Sequence, residues 1–227
     1  MSEIDFSFCI VTDNSLDACT RILEIVQSIR NLEIPNYEIL VIGGQGSKFS
    51  GNLKDLTKMD FHEGIKKGWI TKKKNDVAKM AKYENIVMLH DYFVFHSTWY
   101  QGYLKIKERF DECDLCLNPV LMSDGRREFT DWVTYDHPIL GMHRSLPYGD
   151  ESNIQYQYFS GGYFVTKKRF FLDNPLNEEL VANEMEDVEW STRIRDNSNI
   201  IFNSNSYVRH NKEHRNMKID FWSRIGL

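Results

Sequence analysis

The 227-residue sequence is short of the residues that break or staple a chain: it has five prolines, 13 glycines and four cysteines. So little proline and glycine excludes a linker or a low-complexity chain. Four cysteines, Cys9, Cys19, Cys113 and Cys116, do not make a disulfide framework at this length. Cys113-Asp-Leu-Cys116 has a zinc-like spacing, but no second pair exists to complete four ligands. Its apolar neighbours mark the two as core thiols of a buried strand. No apolar stretch approaches the ~20 residues that span a bilayer. The first residues lack the basic start and long apolar core of a signal peptide, so a cytoplasmic location is expected. A basic excess is missing too. The 28 Lys and Arg stand against 33 Asp and Glu, a formal charge of -5, which excludes a dedicated nucleic-acid binder.

What is present is a mixed composition, 41% hydrophobic and 27% charged, with enough chain to bury one core unaided. Strand and helix signals alternate. Residues 6–12 (FSFCIVT) are an apolar run ending at Thr12-Asp13-Asn14, which can cap the helix that the apolar spacing predicts over 16–32. Residues 37–42 (YEILVI) form a second strand closed by Gly43-Gly44-Gln45-Gly46-Ser47. A strand–helix–strand opening of this kind predicts a parallel sheet with crossover helices. Downstream, the pattern predicts a helix over 75–84 after the basic run Lys72-Lys73-Lys74, a buried strand over 85–89, one helix over 97–110 capped by Ser97, and a strand over 114–119. Beyond residue 120 the alternation breaks into loops with short antiparallel strands. Regularity returns at 158–165, in helices near 167–172 and 187–195, and in one strand region over 200–208.

In open α/β sheets ligands bind beyond the carboxyl ends of the parallel strands. Three such ends carry candidate residues: Thr12 and Asp13, Gly43 and Gly44, and His90-Asp91-Tyr92. The glycines let a backbone approach a phosphate, or simply turn the chain. Asp91 at the end of an apolar strand needs solvent or a cation, or it caps the next helix. Residues 184–190 (EMEDVEW) crowd four carboxylates together, either as a solvated helix start or as a general base whose pKa its neighbours raise. Gly161 and Gly162 leave room for a bulky ligand or form a bulge. His210 and His214, four residues apart, are surface polar groups or ligands for a metal or diphosphate.

Taken in order, these segments resemble the GT-A glycosyltransferases, specifically the inverting family-2-like enzymes. FSFCIVT, LEIVQSIRNL and YEILVIGGQGS are similar to the family's opening strand–helix–strand, and KKKNDVAKMAKYENIVMLHDY to the Asn-containing helix that leads into the metal strand. FSGGYFVTKKRFF followed by EMEDVEWSTRIR resembles the acceptor loop and the Glu-Asp helix, and VRH closes the order. The resemblance implies one GT-A (Rossmann-like) α/β domain over residues 1–227, a central mostly parallel sheet flanked by helices. Its nucleotide-binding half would cover about 1–120, and an irregular acceptor half about 121–227.

It further implies a nucleotide-diphospho-sugar donor of UDP or GDP type, a glycan or other hydroxyl acceptor, and transfer with inversion. Asp187 falls at the base and Glu186 at the residue that holds the acceptor. Thr12, Asp13, Gly43, Gly44, Asn75 and His90 fall on the nucleotide side, and Gly161 and Gly162 at the donor–acceptor junction. Asp91 and His210 fall at the metal, with Mn²⁺ expected over Mg²⁺ because one ligand is an imidazole. Trp132 or Tyr135 is a candidate to stack on an acceptor sugar, and Trp132 is equally a candidate packing residue. His90-Asp91-Tyr92 carries one carboxylate where the family often has two, which would suit a non-catalytic sugar-binding module; the retained Glu186-Asp187 pair argues for an enzyme. A sugar-1-phosphate nucleotidyltransferase would want a glycine-rich basic loop after the first strand, and 12–16 has no glycine.

Overall fold

A computed structural model describes residues 3–13, 16–43, 56–62, 64, 66–128 and 130–211. Its centre is built by a strand that is apolar on both faces. In β1 (Phe6–Val11), Phe6, Phe8 and Ile10 enter one buried cluster while Cys9 and Val11 enter the other. Such a strand needs cover on both sides. Helix α1 (Leu16–Arg30) supplies one cover through Ile22, Ile25, Val26 and Ile29. The chain then runs through β2 (Tyr37–Gly43) and the edge strand β3 (Leu56–Asp60) into α2 (Ile70–Met80), whose Val77 and Ala78 cover the opposite face. Each large apolar side chain buried here stabilises the fold by about 1.5–3 kcal/mol before the entropy of ordering is deducted.

The return strand β4 (Asn85–His90) pairs in parallel with β1 on the side opposite β2, setting Val11 against His90. β1 is therefore where the strand order reverses, and the crevice beyond its carboxyl end is a topological switch point. The chain continues through β5 (Phe93–Phe95), α3 (Trp99–Lys105), α4 (Lys107–Glu112), β6 (Leu115–Leu117), β7 (Val120–Leu121), β8 (Val133–Thr134) and β9 (Gln157–Tyr158). β10 (Tyr163–Lys167), α5 (Lys168–Asp173), α6 (Glu186–Ile194), β11 (Ile200–Phe202) and β12 (Val208–His210) complete it. The seven-stranded sheet has the order β11-β6-β10-β4-β1-β2-β3. Its pairs are parallel except at β10, which runs antiparallel to both β4 and β6. β5, β12 and β7 form a small second sheet, and β8 and β9 an antiparallel pair.

Several elements differ from the sequence expectation. Helix α2 begins at Ile70, not at residue 75, because Lys73 and Lys74 lie on its buried face, in phase with Val77 and Ala78. The single helix expected over 97–110 is broken at Ile106 into α3 and α4. Thr98, not Ser97, is the N-cap of α3, and it makes no side-chain cap bond. The region 200–208 holds two short strands that belong to different sheets. Cys113 and Cys116 are buried free thiols as expected, and burial pushes Cys113 up to about 12. Among the described residues no helix is long and apolar enough to cross a membrane.

Candidate functional site

The register that sets Val11 beside His90 places the next residues, Thr12 and Asp91, across the crevice from each other. They touch: the Thr12 hydroxyl donates to Asp91 Oδ2 at 2.6 Å, with both residues buried. Arg21 of α1 closes on the same aspartate from the side. Its Nη2 lies 3.1 Å from Asp91 Oδ1, and its Nε donates to the Asp91 carbonyl at 3.0 Å. Asp91 is thus neither a helix cap nor a solvated acid; it is the buried half of a partly buried ion pair. From the other side, Lys73 Nζ donates to the Thr12 carbonyl at 3.2 Å. Arg21, Lys73, Asp91, Asp13, Thr12 and His90 line one open cavity of about 210 Å³. Asp13 stands at its exposed rim.

A second group converges on Gly161, in the loop between β9 and β10. Fully buried Lys74 donates to the Gly161 carbonyl at 2.7 Å, while the Gly161 N–H donates to Asp187 Oδ2 at 3.0 Å. Asp187 Oδ1 accepts the N–H of Val188 at 2.9 Å, and Ser191 ties α6 to the same loop by accepting the Phe159 N–H at 2.8 Å. A side chain at Gly161 would meet Lys74 Nζ at 2.9 Å and Asp187 Cβ at 3.1 Å. Burial holds Lys74 below its ordinary pKa, with Glu186 and then Asp187 pulling it back up. Burial pushes the Glu186 carboxyl up, and Lys74 opposes that shift. Just before this acidic pair, Asn183 and Met185 adopt left-handed backbone conformations, with φ of 70° and 60°. Each costs of order 1 kcal/mol and is held only by its surroundings.

The remaining sequence candidates fall elsewhere. Asn75 does not face the crevice: its amide clamps the chain after α5, bonding both the N–H and the carbonyl of Leu176. Gly162 makes no room for a ligand, since Tyr92 and Phe93 already occupy the space at 3.2 Å. Gly43 ends β2 and accepts the Phe61 N–H at 2.7 Å; Gly44 and His214 lie outside the described residues. His90 Nδ1 is 2.9 Å from the Tyr92 hydroxyl. Trp132 is wholly buried against Phe202 and bonds the Asp150 carbonyl, so it is a packing residue and not a sugar platform. Tyr135 is half-buried beside His143 and Tyr158.

The two metal candidates are not brought to one cavity. His210 packs against the rings of Tyr92 and Phe93 and lines a second hollow of about 150 Å³ with Glu128, Asp131 and Ser160, whereas Asp91 lines the first. Among the described residues no three His, Cys, Asp or Glu side chains gather as a metal cluster. The donor set at Asp91, one carboxylate already bound by a guanidinium and a hydroxyl, does not fit a divalent cation.

Sequence reasoning missed Arg21, Lys73 and Lys74. A signal was there: Arg21 is three residues after Ala18 and four before Ile25, on the apolar stripe of α1.

Comparison with protein-family models finds no match, and none is found among curated proteins. Solved structures do match. The Staphylococcus aureus TarS 1–349 structure in complex with UDP superposes with a TM-score of 0.63 at 16% identity, covering 91% of this chain and 60% of that one. The complex of the same fragment with UDP-GlcNAc gives 0.63 at 16% identity, covering 97% and 64%. TarS itself gives 0.63 at 16%, and this chain spans 36% of it. At this identity the likeness establishes the fold, a GT-A-like mixed α/β domain. The chain spans less than two thirds of each of these structures.

Proposed function

We propose that this chain is a nucleotide-sugar glycosyltransferase that moves a sugar from a nucleoside-diphospho-sugar to an acceptor hydroxyl with inversion. One observation carries the reading. The switch-point crevice, with Thr12, Asp91, Arg21 and Lys73, abuts the Gly161 loop, on which Lys74 of α2 and Asp187 of α6 both close. A crevice at the carboxyl ends of β1 and β4 that brings Arg21 and Lys73 into its lining suits a diphosphate, and a carboxylate beyond the loop suits proton removal. TarS, which shares the fold, binds UDP and UDP-GlcNAc.

On this reading Asp187 accepts the proton of the acceptor hydroxyl as its oxygen attacks the anomeric carbon. The bond from that carbon to the diphosphate oxygen breaks on the opposite face, and the nucleoside diphosphate leaves with the electron pair. Direct displacement inverts the carbon because base and leaving group stand on opposite sides. Glu186, beside Asp187, holds the acceptor. Thr12 and Asp13 contact the donor at the crevice. Four free cysteines accord with work in a reducing cytosol.

A thermal-shift panel of UDP-, GDP-, CDP- and dTDP-sugars tests the reading. A ligand held only by the folded state raises Tm by mass action, about 2.7 kcal/mol of added stability at a hundredfold excess over Kd. One nucleotide class is expected to shift the melt. A flat panel, together with no transfer from radiolabelled donors, would refute it.

A further inference from the structure

We infer that the crevice holds the donor's diphosphate with protein cations, Arg21 and Lys73, in place of a divalent metal. The inference rests on the nucleotide-sugar reading and deepens it. A metal at this point would need Asp91, and Asp91 is already engaged at both oxygens: Oδ2 takes the Thr12 hydroxyl at 2.6 Å and Oδ1 faces Arg21 Nη2 at 3.1 Å. The second Arg21 bond, Nε to the Asp91 carbonyl at 3.0 Å, fixes the guanidinium by two points. An arginine cannot shed its charge, so a divalent cation arriving at Asp91 meets a permanent positive charge beside it. The other carboxylate of the cavity, Asp13, is at the exposed rim, and His210 lines a different hollow.

The same geometry that excludes the metal supplies its substitute. Arg21 enters from α1 and Lys73 from α2, on two sides of Thr12, and both line the 210 Å³ cavity. The planar guanidinium fork matches phosphate oxygens, and lysine serves phosphate as a point charge. Asp91 then acts as the residue that positions Arg21. The charge that develops on the leaving diphosphate is met by cations already in place when the donor arrives.

Calorimetric titration of the intact chain with UDP and with GDP, in excess EDTA and then in Mn²⁺, tests this without any variant. The affinity for the nucleotide that binds is expected to agree within about twofold between the two buffers. Arg21→Ala should weaken binding in EDTA by about tenfold or more, the loss of a charge-assisted hydrogen bond. Mn²⁺ should recover part of that loss by taking up the released Asp91. Arg21→Lys, which keeps the charge, should lose less. Binding that vanishes in EDTA and returns with Mn²⁺ overturns the inference and leaves the nucleotide-sugar reading standing. Tight binding in EDTA that neither Arg21 variant weakens overturns the role given to Arg21. No binding of either nucleotide in either buffer, with a flat sugar panel, removes the underlying reading and the inference with it.

Discussion

Asp187 accepts two backbone N–H groups, from Gly161 and Val188, so its carboxylate is aimed by the loop and the helix at once. Replacement by Asn keeps the shape and removes the ability to take a proton. On the proposed reading, Asp187→Asn should lower the transfer rate by about 10²–10⁴-fold while nucleotide affinity stays near that of the parent; turnover close to normal would refute the assignment of the base. Its neighbour Glu186 gives a pH test. Burial, eased by Lys74, raises its folded pKa above the ordinary 4.5, so the folded protein holds this proton more tightly than the unfolded chain does. The stability due to protonated Glu186 is complete below pH 4.5 and is lost as pH rises through the folded pKa. Glu186→Gln, neutral at every pH, should match the parent's Tm near pH 4 and exceed it increasingly toward pH 7. A Tm difference that does not change with pH would contradict this. Neither Glu186 nor Asp187 needed the structure to be noticed, because four carboxylates in six residues are conspicuous. Their partner Lys74 is visible in the sequence only as one of a run of three lysines, with nothing to single it out.

At the scale of elements, α3 shows how closely the layers approach. Gly102 lies so near the turn before β12 that a Cβ would overlap Ser206 Oγ and stand 2.5 Å from the Asn205 carbonyl oxygen. A backbone carbonyl cannot swing aside as a side chain can. Gly102→Ala should therefore cost about 2 kcal/mol or more and lower Tm by roughly 4–8 °C at this chain length; an unchanged Tm would mean α3 does not pack as described. Which elements were legible follows from what covers them. β1, α1, β2 and β4 bury apolar faces in a regular rhythm, and their bounds were read to within a residue or two. α2 was misplaced because its inner face is polar: Lys73 and Lys74 reach carbonyls of Thr12 and Gly161, and hydrophobic periodicity has nothing to say of lysines used that way. Asn75, expected at the nucleotide, instead clamps Leu176 some hundred residues along the chain, a contact no local spacing encodes.

For the whole molecule, the decisive feature is how the second half of the chain completes the first. β10 enters between β4 and β6 antiparallel to both, and β11 extends the sheet beyond β6. That insertion brings the loop before β10 alongside the carboxyl end of β4, where the His90 N–H bonds the Gly162 carbonyl at 2.9 Å. The crevice proposed for a diphosphate, from the first half, and the carboxylates of α6, from the second, thereby come to the Gly161 loop at the carboxyl end of β4. The alternation of strands and helices predicted the sheet and its flanking helices, whereas the place of β10 depends on pairings between residues 49 or more apart in sequence. On the proposed function, the donor binds at the switch point of this sheet. Hydrogen exchange with the nucleotide that gives the largest thermal shift tests it most directly. Added protection is expected at amides of residues 11–13 and 90–92 and in the first turn of α2. Protection confined to other parts of the chain, with these amides unchanged, would contradict it.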